Sequence, residues 1–123
     1  VVIIVDSNID QSSTIESDYV TADQPDRHSY FTEDSFVENV SFTTPSENHS
    51  GEFIGVMKLS PEAGKMAQVY IRDNQDSAEF AKLDIRDMIS HFIEIGTKVK
   101  VQYISGNWVD VNHISDLTLA NEF

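Results

Sequence analysis

The side chains best placed for chemistry lie in residues 106–117, near the end of the 123-residue sequence. This segment holds the only tryptophan, Trp108, together with several acidic and amide side chains. Its first half alternates apolar and polar residues, which predicts a short strand, and a helical apolar pattern begins at Ile114. Ligands of open α/β sheets collect where strands end and helices begin, so we expect the functional site here.

Asp110 and Asn112 are the candidate metal ligands of this segment. Residues two apart on a strand point to the same face, so both side-chain oxygens can reach one hard cation. Taken alone, Asp110 is better interpreted as a carboxylate in a turn. Asp116 is better interpreted as a cap of the closing helix, because an acid there complements the helix dipole.

Glu52 is a second candidate, in an otherwise apolar strand that is interrupted by Gly51 and Gly55. A glycine inside a strand often marks a bulge, or the close approach of a ligand or of another backbone. A buried glutamate needs a partner. Glu52 is therefore either a site residue or an exposed side chain at the edge of a sheet.

Arg27 is the only basic residue among residues 1–51, and it precedes the aromatic pair Tyr30-Phe31. An arginine in a loop can bind a phosphate or phosphonate, although most lone loop arginines only pair locally or remain solvated. Asp6 directly follows an apolar run, which is a common active-site position. A turn-forming or capping role is the simpler interpretation of Asp6.

The pattern of the whole chain predicts a single α/β domain over residues 1–123. Ser60, Pro61 and Glu62 have the chemistry of a helix start, and Asp84 and Gly96 suit the two ends of a second helix. The unbroken β-branched run at the start is typical of a strand in a parallel sheet. Predicted strands are 1–5, 18–21, 35–42, 51–59, 97–104 and 108–111, and predicted helices are 60–72, 78–95 and a closing helix.

The charge of the chain excludes two kinds of partner. Its formal net charge is −13, with ten acids and one base in residues 1–51. Nucleic acids and anionic membranes need clustered Lys and Arg, so we expect neither as a partner. Without cysteines or an apolar run of the ~20 residues that span a bilayer, the simplest prediction is a soluble, cytoplasmic protein.

The order of these elements resembles a known family. The segment HSGEFIGVMKLS (residues 49–60), the helix pair that follows and the segment GNWVDVN (residues 106–112) resemble the C-terminal half of small nucleotidyltransferases. These are the NTP-transferase domains that accompany phosphoenolpyruvate phosphomutase in phosphonate biosynthesis. Residues 17–27 are similar to the phosphomutase-linked branch, and the family closes on Gly-x-Trp-x-Asp/Glu-x-Asp.

This resemblance implies a nucleotide-diphospho-sugar-transferase-like fold, with a mixed, mainly parallel sheet flanked by helices. It implies a Mg²⁺-dependent transfer of a nucleotidyl group, expected from CTP, to a phosphonate or phosphate oxygen. Asp110 and Asn112 match the family's metal-binding turn. Glu52, Gly55 and Arg27 are then the candidate substrate-binding residues, and no catalytic residue is assigned.

The sequence departs from the family in two ways. Asn112 stands where the family usually has an acid, and the family's Gly-rich nucleotide loop would precede Val1. We therefore expect the C-terminal fragment of a nucleotidyltransferase domain that is inactive alone and that forms homo-oligomers through exposed sheet edges. The alternative is a non-catalytic binding or assembly module with a nucleotidyltransferase-like fold.

Overall fold

Five strands close into a small barrel in the computed structural model, which describes residues 1–27, 33–111, 114 and 116–121. The order around the barrel is β1-β4-β2-β3-β5. The strands are β1 (Val2–Asp6), β2 (Ser17–Ala22), β3 (Ser35–Thr43), β4 (Gly51–Lys58) and β5 (Lys100–Ile104). The helices are α1 (Pro61–Asn74), α2 (Ile85–Glu94) and α3 (Asp116–Ala120), and a 3₁₀ turn covers Phe80–Lys82.

The predicted α/β fold, with a mainly parallel sheet flanked by helices as in nucleotide-diphospho-sugar transferases, is wrong. Four of the five strand pairings are antiparallel, and only β1 and β5 run in parallel. No helix lies between β1 and β4 in the described residues, and α1 and α2 both lie in the connection from β4 to β5. The first strand is buried because it lines the interior of a barrel, which an apolar run does not distinguish from a parallel sheet.

The local signals at the helix ends are confirmed. The Ser60 hydroxyl accepts the N–H of Ala63, and Pro61 is the first residue of α1. Asp84 caps α2 in a capping box with Asp87, and Gly96 follows the helix with a φ of +78°. Because Asp84 forms that cap, α2 begins later than the predicted residue 78.

The strand predicted at residues 108–111 is absent. Gly106 and Asn107 have φ values of +65° and +63°, so two successive left-handed residues turn the chain away after β5. Residues 108–111 form neither strand nor helix. The closing helix covers Asp116–Ala120.

Gly51 lies in close contact with the end of β1. A Cβ atom at Gly51 would overlap the side chain of Val5 and would lie 2.6 Å from the carbonyl oxygen of Asp6. Gly51 therefore allows β4 to approach β1. Apolar side chains from all five strands and from α1 and α2 fill the interior, including Ile3, Val20, Val40, Phe53, Ala67, Ile89, Phe92 and Val101.

Gly55 has a different role, which is set by the backbone. Ile3 is paired with Met57 and Val5 with Phe53, so three residues of β4 lie opposite Ile4 alone. Gly55 is at the centre of this bulge with a φ of +80°, and a Cβ atom there would meet nothing within 4 Å.

An ion pair holds α2 against the barrel. Arg86 Nε lies 3.2 Å from Asp18 Oδ1 on β2, and the guanidinium also binds Asp84 and covers the ring of Phe42 at 5.0 Å. Asp18 Oδ1 is buried and has no hydrogen-bond partner among the described residues, so this contact is an ion pair without an aligned hydrogen bond. Burial raises the pKa of Asp18, and the charge of Arg86 opposes that rise.

Two glycine substitutions test the packing. Gly51→Ala is expected to lower the free energy of unfolding by about 1–3 kcal/mol, because its methyl group overlaps Val5 and the backbone of Asp6. The matched change Gly64→Ala, in α1 with open space around the added atom, is expected to raise it by about 0.5–1 kcal/mol. Urea unfolding measures both free energies. A Gly51→Ala variant as stable as the wild-type protein would contradict the close contact of β4 with β1.

Candidate functional site

Three polar or aromatic side chains lie side by side on neighbouring strands, and we call them the outer row. Asp6 on β1 is paired with Glu52 on β4, and Glu52 is paired with Tyr19 on β2. The next residues along each strand belong to the core, so the alternation of a strand points the outer row to the outside of the barrel. These core neighbours are Val5, Phe53 and Val20.

Asp6 is buried, with 6% of its surface exposed, and its carboxylate accepts three hydrogen bonds. Oδ1 accepts the backbone N–H groups of Asn8 at 2.9 Å and of Gly106 at 2.8 Å. Oδ2 accepts the indole N–H of Trp108 at 2.6 Å. Asp6 thus forms a turn with the residues that follow it and also fastens the segment after β5 to the end of β1.

Glu52 is half-buried in the middle of the outer row. One carboxylate oxygen, Oε1, accepts a hydrogen bond from the hydroxyl of Ser17 on β2. No lysine or arginine of the described residues forms an ion pair with it. Glu52 therefore presents a negative charge at the barrel surface without a cationic partner in that part of the chain.

Tyr19 completes the outer row, with only 4% of its surface exposed. Its ring stacks on the imidazole of His49, with 5.0 Å between the ring centroids and 5° between the planes. Burial raises the pKa of the Tyr19 hydroxyl, and the charges of Glu52 and Asp10 raise this pKa further. The hydroxyl makes no hydrogen bond to any residue that the structure describes.

His49 is held in one tautomer by the loop before β4. Its Nδ1 accepts the backbone N–H of Ser46 at 3.0 Å, which places the proton of the neutral ring on Nε2. Burial lowers the pKa of His49, because the charged ring loses hydration.

The structure brings two of the predicted segments together. Trp108, from residues 106–117, reaches Asp6, which lies opposite Glu52. Gly55 lies in the β4 bulge. Asp110 is exposed, and Asn112, with Tyr30 and Phe31, falls outside the described residues.

Arg27 is exposed and donates from Nη2 to the side chain of Gln24 at 3.1 Å. Its loop is fastened to the carboxyl ends of β1 and β5. The Ser7 hydroxyl donates to Asp26 at 2.7 Å, and the Tyr103 hydroxyl donates to the carbonyl of Gln24 at 2.8 Å. Arg27 therefore lies at the same end of the barrel as Asp6 and Trp108.

The predicted Mg²⁺ ligands, Asp110 and Asn112, cannot be compared, because Asn112 lies outside the described residues. Within the described ranges, no three acidic or histidine side chains are grouped so that they could hold a metal ion. The Asp6 oxygens are already engaged by N–H donors, which a cation would displace. The Mg²⁺ implied by the resemblance stays a prediction.

Comparison with known protein families, with curated proteins and with solved structures finds no match to this chain. The resemblance to nucleotidyltransferases stays a prediction. In the part of the chain that the structure describes, no helix has both the length and the apolar character needed to cross a membrane.

Sequence reasoning missed the Tyr19–His49 stack. The two residues are 30 positions apart, and nothing in their local patterns links them. The alternation of β2 gives a partial signal, because Tyr19 and Val20 are both buried although they point to opposite faces. A strand buried on both faces needs a covering element, which here includes the loop that carries His49.

The pKa of His49 predicts a pH dependence of stability. Below pH 6.5, its ordinary pKa, the unfolded chain binds a proton that the folded chain resists, so the free energy of unfolding falls as the pH falls. His49→Asn keeps an acceptor for Ser46 but does not titrate, so its stability is expected to fall less. Urea unfolding between about pH 7.5 and 5.5 measures this, and equal slopes in both proteins would contradict it.

Proposed function

We propose that the chain is a non-catalytic binding module, and that its acidic surface around the outer row holds a positively charged segment of a partner protein. The observation that carries the proposal is Glu52, a half-buried carboxylate at the barrel surface without a cationic partner among the described residues.

The distribution of charge supports this proposal. The net charge is −13, and the chain has only eight Lys and Arg residues in all. Within the described residues, four of these pair with acids of the chain itself, and these four are Arg72, Lys82, Arg86 and Lys100. The remaining excess of carboxylates attracts a cationic partner and repels nucleic acids and anionic lipids.

The hydrogen bonds of Asp6 and His49 make both groups unsuited to act as general bases. Asp6 uses both carboxylate oxygens, and His49 uses Nδ1, to accept N–H groups. A general base needs a free acceptor atom within reach of the proton that it removes. Asp6 thus stabilises the fold, and the carboxylate of Glu52 is left to bind a ligand.

The nucleotidyl transfer implied by the resemblance stays a prediction, as do its CTP, its phosphonate or phosphate acceptor and the cytoplasmic location. Its fold is not the one observed, so the proposal does not depend on it. Homo-oligomers were expected from open sheet edges, but the five strands close into a barrel. The oligomeric state also stays a prediction.

A labelled peptide of about twelve residues, with alternating Arg and Gly, tests the proposed function by fluorescence anisotropy. We expect binding that weakens on the order of tenfold between about 50 and 300 mM salt, because screening acts on exposed charges. The control is the same peptide with Glu in place of Arg, which is expected not to bind. Absent binding of the Arg peptide, or equal binding of both peptides, would contradict the proposal.

A further inference from the structure

We propose that Glu52 and Tyr19 form a recognition site for one guanidinium group of the partner segment. This inference rests on the proposed function and gives it a place and a ligand chemistry. It depends on two independent observations: the carboxylate of Glu52 lacks a cationic partner in the described chain, and the hydroxyl of the buried Tyr19 lacks a hydrogen bond there.

The Tyr19 hydroxyl is the less expected of the two. A buried tyrosine usually satisfies its hydroxyl within the protein, as Tyr103 does with the carbonyl of Gln24. Tyr19 is more deeply buried than Tyr103, but its hydroxyl bonds to no described residue. Among the described residues, Asp18 Oδ1 is the only fully enclosed side-chain oxygen or nitrogen without a partner. The Tyr19 oxygen, which also lacks a partner there, is therefore accessible to solvent. The phenol therefore offers its hydroxyl to a group from outside.

Glu52 is the direct neighbour of Tyr19 in the outer row, and its charge acts on the Tyr19 hydroxyl. The two residues are paired across β4 and β2, where side chains on one face are about 5 Å apart. Ser17, two residues before Tyr19, shares that face and binds Oε1 of Glu52. This hydrogen bond fixes the carboxylate and leaves Oε2 for a ligand.

Two further carboxylates add negative charge around this pair. Asp6 lies beside Glu52 on the side away from Tyr19, and the charge of Asp10 acts on the Tyr19 hydroxyl. The carboxylate of Asp10 accepts hydrogen bonds from the hydroxyl and the backbone N–H of Ser12, and these bonds lower the pKa of Asp10. A ligand for this site must therefore be positively charged and supply hydrogen-bond donors.

A guanidinium group fits this arrangement best. It is planar, always charged and carries five N–H donors in a fork, so it can bind a carboxylate and a second acceptor at once. An ammonium group concentrates its charge at one point and matches two separated acceptors less well. The face of the Tyr19 ring is covered by His49, so recognition uses the hydroxyl rather than stacking on the ring.

Two variants and a control test the site with the full chain and the labelled Arg peptide. Glu52→Gln removes the charge and keeps the shape, and Tyr19→Phe removes only the hydroxyl. Glu38→Gln is the control, because it makes the same charge change at an exposed position of β3. We expect the affinity to fall about tenfold for Glu52→Gln, about threefold for Tyr19→Phe and less than about twofold for the control.

Replacing Arg by Lys throughout the peptide adds a second readout. The wild-type protein is expected to prefer the Arg peptide, and Glu52→Gln is expected to lose that preference. The unfolding midpoint of Tyr19→Phe is expected to match that of the wild type, because the folded protein loses no hydrogen bond among its described residues.

The outcomes separate the two proposals. If the wild-type protein binds the Arg peptide but Glu52→Gln and Tyr19→Phe behave like Glu38→Gln, the site is wrong and the binding module stands. If the wild-type protein does not bind the Arg peptide, both proposals fail. Clear destabilisation of Tyr19→Phe would overturn the site as well, because the hydroxyl would then have a structural role.

Discussion

One buried carboxylate, that of Asp6, fastens the end of the barrel. A carboxylate taken out of water costs several kcal/mol unless hydrogen bonds replace its hydration, which is on the order of a small domain's whole stability. Asp6 accepts three N–H groups, two of them from residues about 100 positions later in the chain. The segment after β5 is therefore held at the end of β1, where the two parallel strands finish together.

The hydrogen bonds of Asp6 give it a different role from that of the neighbouring acid Glu52. Asp6 and Glu52 are paired across β1 and β4, but backbone and indole N–H groups engage Asp6, whereas a single hydroxyl engages Glu52. Gly51 allows the two strands to come close enough for this pairing, because it has no side chain to overlap that of Val5. The fold thus stabilises one carboxylate and leaves the other for an external group.

The parts of the fold that depend on neighbouring residues could be predicted from the sequence. Ser60, Asp84 and Gly96 mark helix ends through hydrogen bonds or backbone angles that span a few residues. The pairing of strands could not be predicted, because it depends on contacts between distant residues. The apolar run of β1 suits a parallel sheet and a barrel interior equally, and only its pairing with both β4 and β5 distinguishes them.

The candidate site was accessible to sequence reasoning only in part. Glu52 stood out as a carboxylate in an apolar strand between glycines. Trp108 stood out as the only tryptophan, but its partner is 102 residues away. The predicted strand at 108–111 failed because alternation cannot reveal the left-handed turn at Asn107, whose φ of +63° is uncommon for a residue other than glycine.

Hydrogen exchange of the Trp108 indole N–H and of the Gly106 amide tests the role of Asp6 most directly, because both donate to its carboxylate. We expect both protons to exchange slowly in the wild-type protein. In Asp6→Ala, which removes both acceptor oxygens, we expect them to exchange at rates typical of open chain, while the amides of β2 and β3 keep their protection. Fast exchange of the indole proton in the wild-type protein would contradict the account.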